Sequence, residues 1–520
     1  MPWSQDPLFQ LVKSLSKSEK RNFKLYVNRF HSSEDKKFIQ LFDAIEKQNE
    51  YNDEKILQKA PGINKNQLSN LKAHLYKQLL LCLRLNSINS DLDIYIREQI
   101  DYGKVLYNRG LYVQALKIID KAKQMATEFE KLILLLEILE FEKLIEGQYI
   151  TNSIENKAEE LSNETTALTK KIEGTNRFSN LSIRLYGLYL KVGHVRNEKD
   201  FHFVNEFFKS NLPVYNFEEL GFYEKLYLYQ SYVWHNYMNQ DFLMCYKYAS
   251  KWVELFEQHS NLISSQVELY LKGMHNLLAA LFMIDHKAKF DLTLKQLENL
   301  ETEAFIHNND NNAVLFFQYK YLNKINHHFM RGTFTEGAKI VEEIENGIVY
   351  FKNKLDHHRV MNFYYKIGCM YFGSGNNRMA IRYLNNVINQ KETSIRSDLQ
   401  CFARILNLIA HYELGNMEMV EYQIKSVFRF LSKIEEMNLV QQHVMSFLRR
   451  SFTMNARQIK SEFIKLRSNL IKLQDHPYEK RAFLYLDIIS WLTCKIENRT
   501  VQEVIHEKAL GNSRNLTGVV

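Results

Sequence analysis

Residues 364–384 read YYKIGCMYFGSGNNRMAIRYL, and residues 103–122 read GKVLYNRGLYVQALKIIDKA. In each stretch a glycine is followed seven residues later by a second glycine, and five residues after that by an alanine: Gly103, Gly110, Ala115 and Gly368, Gly375, Ala380. An aromatic side chain also recurs: Tyr112 follows the turn of the first copy, while Tyr364 and Tyr371 precede the turn of the second. The second glycine suits a tight turn because it adopts positive φ at no steric cost. The first glycine and the alanine lie on facing helices, where the lack of a large side chain lets two backbones approach. Each stretch therefore predicts a helix, a turn and a second helix folded back on the first.

Weaker versions of the signal lie on either side of these copies. Turn-like positions fall near 110, 147, 193, 240, 285, 332, 375 and 415, at spacings of 37 to 47 residues. Some carry glycine (Gly147, Gly193, Gly332, Gly415), whereas 239–242 and 285–287 are only polar. A regular period of this length is the mark of a repeat array. Composition agrees: 18 glycines and 5 prolines in 520 residues are too few for the many turns of a β-rich chain.

The two clear copies resemble the tetratricopeptide repeat, a helix–turn–helix unit of about 34 residues. Gly103, Gly110, Tyr112, Ala115 and Ala122 stand at its small and aromatic positions, as do Tyr364, Gly368, Tyr371, Gly375 and Ala380. The chain departs from the family in its longer period and in lacking a proline after the second helix, where Thr127 and Glu392 stand. The resemblance implies an all-α fold whose middle, 91–440, is a TPR-like superhelix (a solenoid). It also implies a concave face lined by set positions of each first helix. In the first clear repeat these are Arg97, Ile100, Lys104, Tyr107 and Asn108; in the second, Asn362, Tyr365, Cys369, Phe372 and Gly373. The next hairpin contributes Phe402, Ile405, Ile409, Tyr412 and Glu413. Such mixed, aromatic-rich sets suit an extended or helical peptide with apolar anchors. The alternative is that these side chains are ordinary core.

Outside the array, 1–90 reads as a basic helical domain. Ser16 and Glu19 fit a capping box, and Ser32 or Ser33 can cap the helix that follows. Short and long helices over 53–59 and 65–85 flank Pro61-Gly62. As a helix-turn-helix, this pair would present Lys65, Asn66, Asn70 and Lys72 to nucleic acid; a plain bundle is the favoured reading. Residues 441–510 read as basic capping helices, one over 441–473 and one over 478–495, and 511–520 as a disordered tail. Residues 1–90 carry 15 basic and 9 acidic side chains, and 441–520 carry 13 and 7, within a net charge of +8.

Catalytic signatures are not found: no phosphate-binding glycine loop, no nucleophile elbow, no metal-ligand spacing among the histidines or the five dispersed cysteines. The doublets His327-His328 and His357-His358 point to different sides of a helix. No secretory leader or membrane span is read, so the expected location is the cytoplasm. The expectation is a non-enzymatic scaffold or adaptor without cofactor or metal, which binds a protein or peptide partner in its concave groove. The alternative is a regulator whose first domain binds nucleic acid while the array senses a partner.

Overall fold

The computed structural model describes residues 6–27, 33–88, 91–148, 156–352, 354–390, 397–433, 438–451, 454–480, 482–483 and 487–515. Every regular element among them is helical, so the chain is all-α. It divides into two compact units, Met1–Thr169 and Lys170–Val520, and the division falls inside the helix Lys157–Val192.

The first unit begins with the helices Pro7–Ser14, Lys17–Val27, Ser33–Glu46, Asp53–Lys59 and Lys65–Ser87. Asp6 caps the first, accepting from the N–H groups of Leu8 and Phe9 at 2.9 and 3.1 Å. The Ser16–Glu19 capping box forms in both directions; the expected cap at Ser32 or Ser33 lies outside the described side chains. These helices share a core of their own, with Val12, Phe23, Phe42, Ile56 and Leu75 at its centre. The hairpin Leu92–Tyr107 and Tyr112–Glu128 follows, then Leu132–Gln148. A Cβ on Gly103 would lie 2.8 Å from the Ile119 side chain, which is why this position is glycine.

The second unit is a succession of helical hairpins. After Glu198–Asn211 come Phe222–Met238 with Phe242–Gln258, Val267–Met283 with Lys287–Asn299, and Asp310–Arg331 with Phe334–Gly337 and Val341–Tyr350. His357–Gly373 with Asn377–Ile388 and Ser397–Glu413 with Met417–Lys433 complete the run. The same turn recurs between partners. Gly332, Gly375 and Gly415 have φ of +63°, +80° and +71°. The next residue's N–H bonds back five residues, as from Thr333 to His328 O and from Asn376 to Tyr371 O, at 3.0 and 2.9 Å. This pattern closes a helix and satisfies its last carbonyls.

The polar turns at 240 and 285 have the same geometry without glycine. Gln240 and Asp285 hold φ of +60° and +54°, and Asp241 and His286 make the same five-residue bond. A left-handed side-chain-bearing residue costs about 1–2 kcal/mol. At Gln240 this is offset by a buried side chain whose Nε2 donates to Val195 O at 3.1 Å. Gly110 and Gly193 are also left-handed, whereas Gly147 lies inside the helix Leu132–Gln148.

The C-terminal region differs from its expected form. The single helix over 441–473 is two, Leu439–Ser451 and Ala456–Ile471. The break comes because Asn455 and Gln458 form a reciprocal capping box that starts a new helix. Of the helix expected over 478–495, residues 478–480 are a turn, 482–483 are helical, 481 and 484–486 lie outside the described residues, and Ile488–Glu497 is a helix that begins where Asp487 accepts from Ser490 N. A last helix, Val501–Asn515, runs into the segment expected to be a disordered tail; 516–520 lie outside the described residues. This last helix turns back to the hairpin at 332 and to the one before it. Gln502 Oε1 accepts from Thr335 N and Oγ1 at 2.8 and 2.9 Å, His506 Nδ1 lies 2.8 Å from Arg331 O, and Lys287 Nζ donates to Ala509 O at 2.9 Å.

Candidate functional site: a concave cavity in the second unit

Three successive hairpins open the same register of their first helix onto one cavity. Counted back from the left-handed turn residue, the positions ten, six, three and two residues earlier all line it. In the hairpin of Asp285 they are His275, Ala279, Phe282 and Met283. In the hairpin of Gly332 they are Leu322, Asn326, Phe329 and Met330, and in that of Gly375 they are Tyr365, Cys369, Phe372 and Gly373. Asn362 and Lys366 join them from the third helix. The cavity measures about 660 Å³. It is walled on the other side by the returning C-terminal region, with Phe483 and one stripe of the last helix, Val501, Ile505 and Ala509.

A chain of hydrogen bonds crosses this lining. The Asn323 amide donates to Tyr319 O at 2.8 Å, and its nitrogen lies 3.2 Å from His275 Nδ1. Asn323 Oδ1 accepts from Asn326 Nδ2 at 3.3 Å, and Asn326 Oδ1 accepts from Lys366 Nζ at 2.6 Å. Lys366 Nζ also stands 5.7 and 5.4 Å from the ring centroids of Phe282 and Phe329. His275 stacks on Tyr319 with centroids 4.3 Å apart. Burial, with a smaller contribution from Lys366 and Arg359, lowers the His275 pKa to about 4, so the ring is neutral at neutral pH. Burial pushes the Cys369 thiol up to about 12, which removes it as a ready nucleophile.

Of the concave-face residues read from sequence, all five of the second clear repeat, Asn362, Tyr365, Cys369, Phe372 and Gly373, line this cavity. Phe402 is buried in the core of the following hairpins. Tyr412 meets Phe447, Phe463 and Trp491 edge-on, and Glu413 accepts from Trp491 Nε1 at 2.7 Å and from Lys495 Nζ at 2.8 Å. The C-terminal helices therefore cover that stretch of the face. In the first unit, Arg97 and Lys104 both reach Glu137, at 3.7 and 2.9 Å. Tyr107 packs on Tyr112 and Phe141, and Asn108 is exposed at the helix end.

Lys65, Asn66 and Asn70 are exposed on the first turns of Lys65–Ser87. Lys72 is held by Asp6 and the Tyr51 hydroxyl, with Asp53 at 3.6 Å. Burial works to lower its pKa, but the bonds to Asp6 and Tyr51 outweigh this and raise it. Its charge is thereby committed inside the protein.

His275, Asn326, Lys366 and the stripe Val501–Ile505–Ala509 were not singled out from sequence. The stripe's four-residue spacing was the available signal; the polar three were visible only as interruptions of apolar helix faces. Among the described residues no group of His, Cys, Asp or Glu could hold a metal, and no helix is long and apolar enough to cross a membrane. None of the five cysteines is in a disulfide. Comparison with known families, with curated proteins and with solved structures finds no match to the chain.

Proposed function

We propose that this protein is a non-enzymatic interaction scaffold or adaptor: a TPR-like helical solenoid, working in the cytoplasm, that holds a peptide or protein partner against its concave face. One observation carries the reading. Equivalent positions of three successive first helices converge on one concavity, and a helix of the same chain lies against it with Val501, Ile505 and Ala509 turned inward. Gripping a helix by apolar residues spaced one turn apart is how helical grooves take partner helices. In the first unit, Arg97, Lys104 and Tyr107 add a partly charged stretch that a polar partner segment could contact.

Affinity purification on the full chain tests this, with quantitative comparison against two variants, Arg97→Glu/Lys104→Glu and Tyr365→Ala/Phe372→Ala. A partner retained by the natural chain and lost from either variant supports the proposal. Identical retention by all three would remove the concave face from consideration. The second reading, a regulator that binds nucleic acid through Lys65, Asn66 and Asn70, draws support from the exposure of those three side chains. Salt-dependent DNA retention by the full chain, weakened by Lys65→Glu, is its test.

A further inference from the structure

We propose that the last helix, Val501–Asn515, is an exchangeable occupant of the concave face, and that the partner taking its place is an amphipathic helix with larger apolar residues at the same spacing. The inference rests on the scaffold reading of that face, and adds to it the partner's chemistry and the device that regulates access.

The helix is built as a separate piece. Thr500 and Glu503 form its own capping box, Thr500 N donating to Glu503 Oε2 at 2.8 Å and Glu503 N to Thr500 Oγ1 at 3.1 Å. The preceding helix, Ile488–Glu497, is closed by Asn498 at φ +56°. Residues 498–500 therefore join two helices that are each complete.

Its attachment is light. Over 501–511 only Val504 and Ala509 are buried, while Glu503, His506, Glu507, Lys508 and Leu510 are exposed. The bonds from Gln502 to Thr335 and from His506 to Arg331 O lie at exposed positions. Water competes there for the same groups, so each bond contributes little. Val501, Val504, Ile505 and Gly511 are weak helix formers, so the segment gains little from helicity itself.

Its seat is too large for it. Protein interiors leave few voids bigger than a water molecule. Yet about 660 Å³ stays open where Val501, Ile505 and Ala509 face a wall that includes Phe282, Phe329 and Phe372. A helix carrying leucine, methionine or phenylalanine at those three positions buries more apolar surface against the same wall. The polar contacts complete the pattern. Thr335 N and Oγ1 offer two donors to one side-chain acceptor, which Gln502 supplies one position after the first apolar residue; a glutamate there accepts more strongly. Lys287 Nζ, donating to Ala509 O at 2.9 Å, meets a carbonyl toward the C-terminal end. A tethered helix has an effective concentration on the order of millimolar, so only a better-filling helix replaces it.

Fluorescence anisotropy on the full chain provides the test. The probe is a fluorescein-labelled peptide of residues 499–511 with Val501→Leu and Ala509→Leu, a filled version of the chain's own stripe. It should bind the natural chain saturably. In a chain carrying Ile505→Asp, which loosens the resident helix, its affinity should rise about tenfold or more. In a chain carrying Ala509→Leu, which fills the seat from within, it should fall about fivefold or more. Gln502→Ala, which removes only the contact with Thr335, should raise it about three- to tenfold and decides the matter if Ile505→Asp fails to fold. Affinity equal in the natural chain and the loosened variants, or equal in the natural chain and Ala509→Leu, overturns the proposal, as does the absence of saturable binding. So does a dimer of the natural chain that the peptide dissociates, since the resident helix would then come from a second copy. The scaffold reading fails separately: Tyr365→Ala/Phe372→Ala would retain partners as the natural chain does while the peptide still exchanges. A fixed last helix instead gives equal peptide affinities even where that variant loses its partner.

Discussion

Replacing Gly332 by alanine should injure the protein in two separable ways. The first is local. Gly332 sits at φ +63°, and an L-residue there costs roughly 1–2 kcal/mol. The second is a collision, since a Cβ at Gly332 would lie 2.5 Å from the His506 backbone nitrogen and 2.8 Å from its Cα. Backbone cannot rotate out of the way as a side chain can, so the helix Val501–Asn515 must move off. Moving it strains the contacts of Gln502 and His506 with that hairpin and of Ala509 with Lys287 of the preceding one. At about 0.5–1.5 kcal/mol for each hydrogen bond lost, the helix should lose about 2–3 kcal/mol of attachment. Gly375→Ala and Gly415→Ala are the controls: both positions have positive φ, and nothing lies within 4 Å of the added carbon. Urea unfolding should place Gly332→Ala about 3–5 kcal/mol below the natural chain and each control about 1–2 kcal/mol below it. Amide hydrogen exchange over 501–511 should accelerate about 30- to 160-fold in Gly332→Ala alone, as 2–3 kcal/mol requires. Equal exchange over 501–511 in all three variants would refute the reasoning, because it would mean that the last helix does not rest on Gly332.

Acid should weaken the fold between pH 6.5 and 4. Burial lowers the pKa of His275 and of His235 to about 4, so the unfolded chain takes up these protons at a pH where the folded chain does not. Their contribution is complete above the ordinary histidine value and is lost as pH falls toward 4, by about 1–3 kcal/mol each; urea midpoints measured across that range check it. Trp491→Phe removes the indole donor to Glu413 from a fully buried site, and a loss of about 2–3 kcal/mol is expected by chemical denaturation. Gly103→Val in the first unit drives a side chain into Ile119, 2.8 Å from the new Cβ, and should cost about 1–3 kcal/mol in the same assay.

The hairpins were legible because their turns are written in residue types that few other structures need. Of the six turn glycines read from sequence, Gly110, Gly193, Gly332, Gly375 and Gly415 are left-handed, whereas Gly147 lies inside a helix. At 240 and 285 the same geometry was visible only as polarity, since Gln240 and Asp285 adopt it with help from contacts distant in sequence. Residues 441–473 looked like one helix because their periodicity is unbroken. Asn455 competes for the backbone there, and a capping box is a weaker mark than a proline. Tyr365 and Phe372 could be placed on an inward face from spacing alone, but Lys366 could not. Its surroundings depend on Asn326, forty residues away, and on rings from two other helices. The return of 501–515 to residue 332 is a tertiary event with no local signature beyond an amphipathic stripe.

The contact between His506 and Arg331 joins residues 175 positions apart. During synthesis the helix Asp310–Arg331 leaves the ribosome well before its cover exists. At about 5–20 residues per second, the wait is roughly 9–35 s. For that interval Phe329, Met330 and Ile325 belong to a surface that the finished protein closes or buries. A nascent chain therefore presents a sticky inner face that no mature copy shows. Any message cut short before residue 501 would keep it, and would give quality-control proteases and chaperones a feature by which to tell an unfinished chain from a complete one.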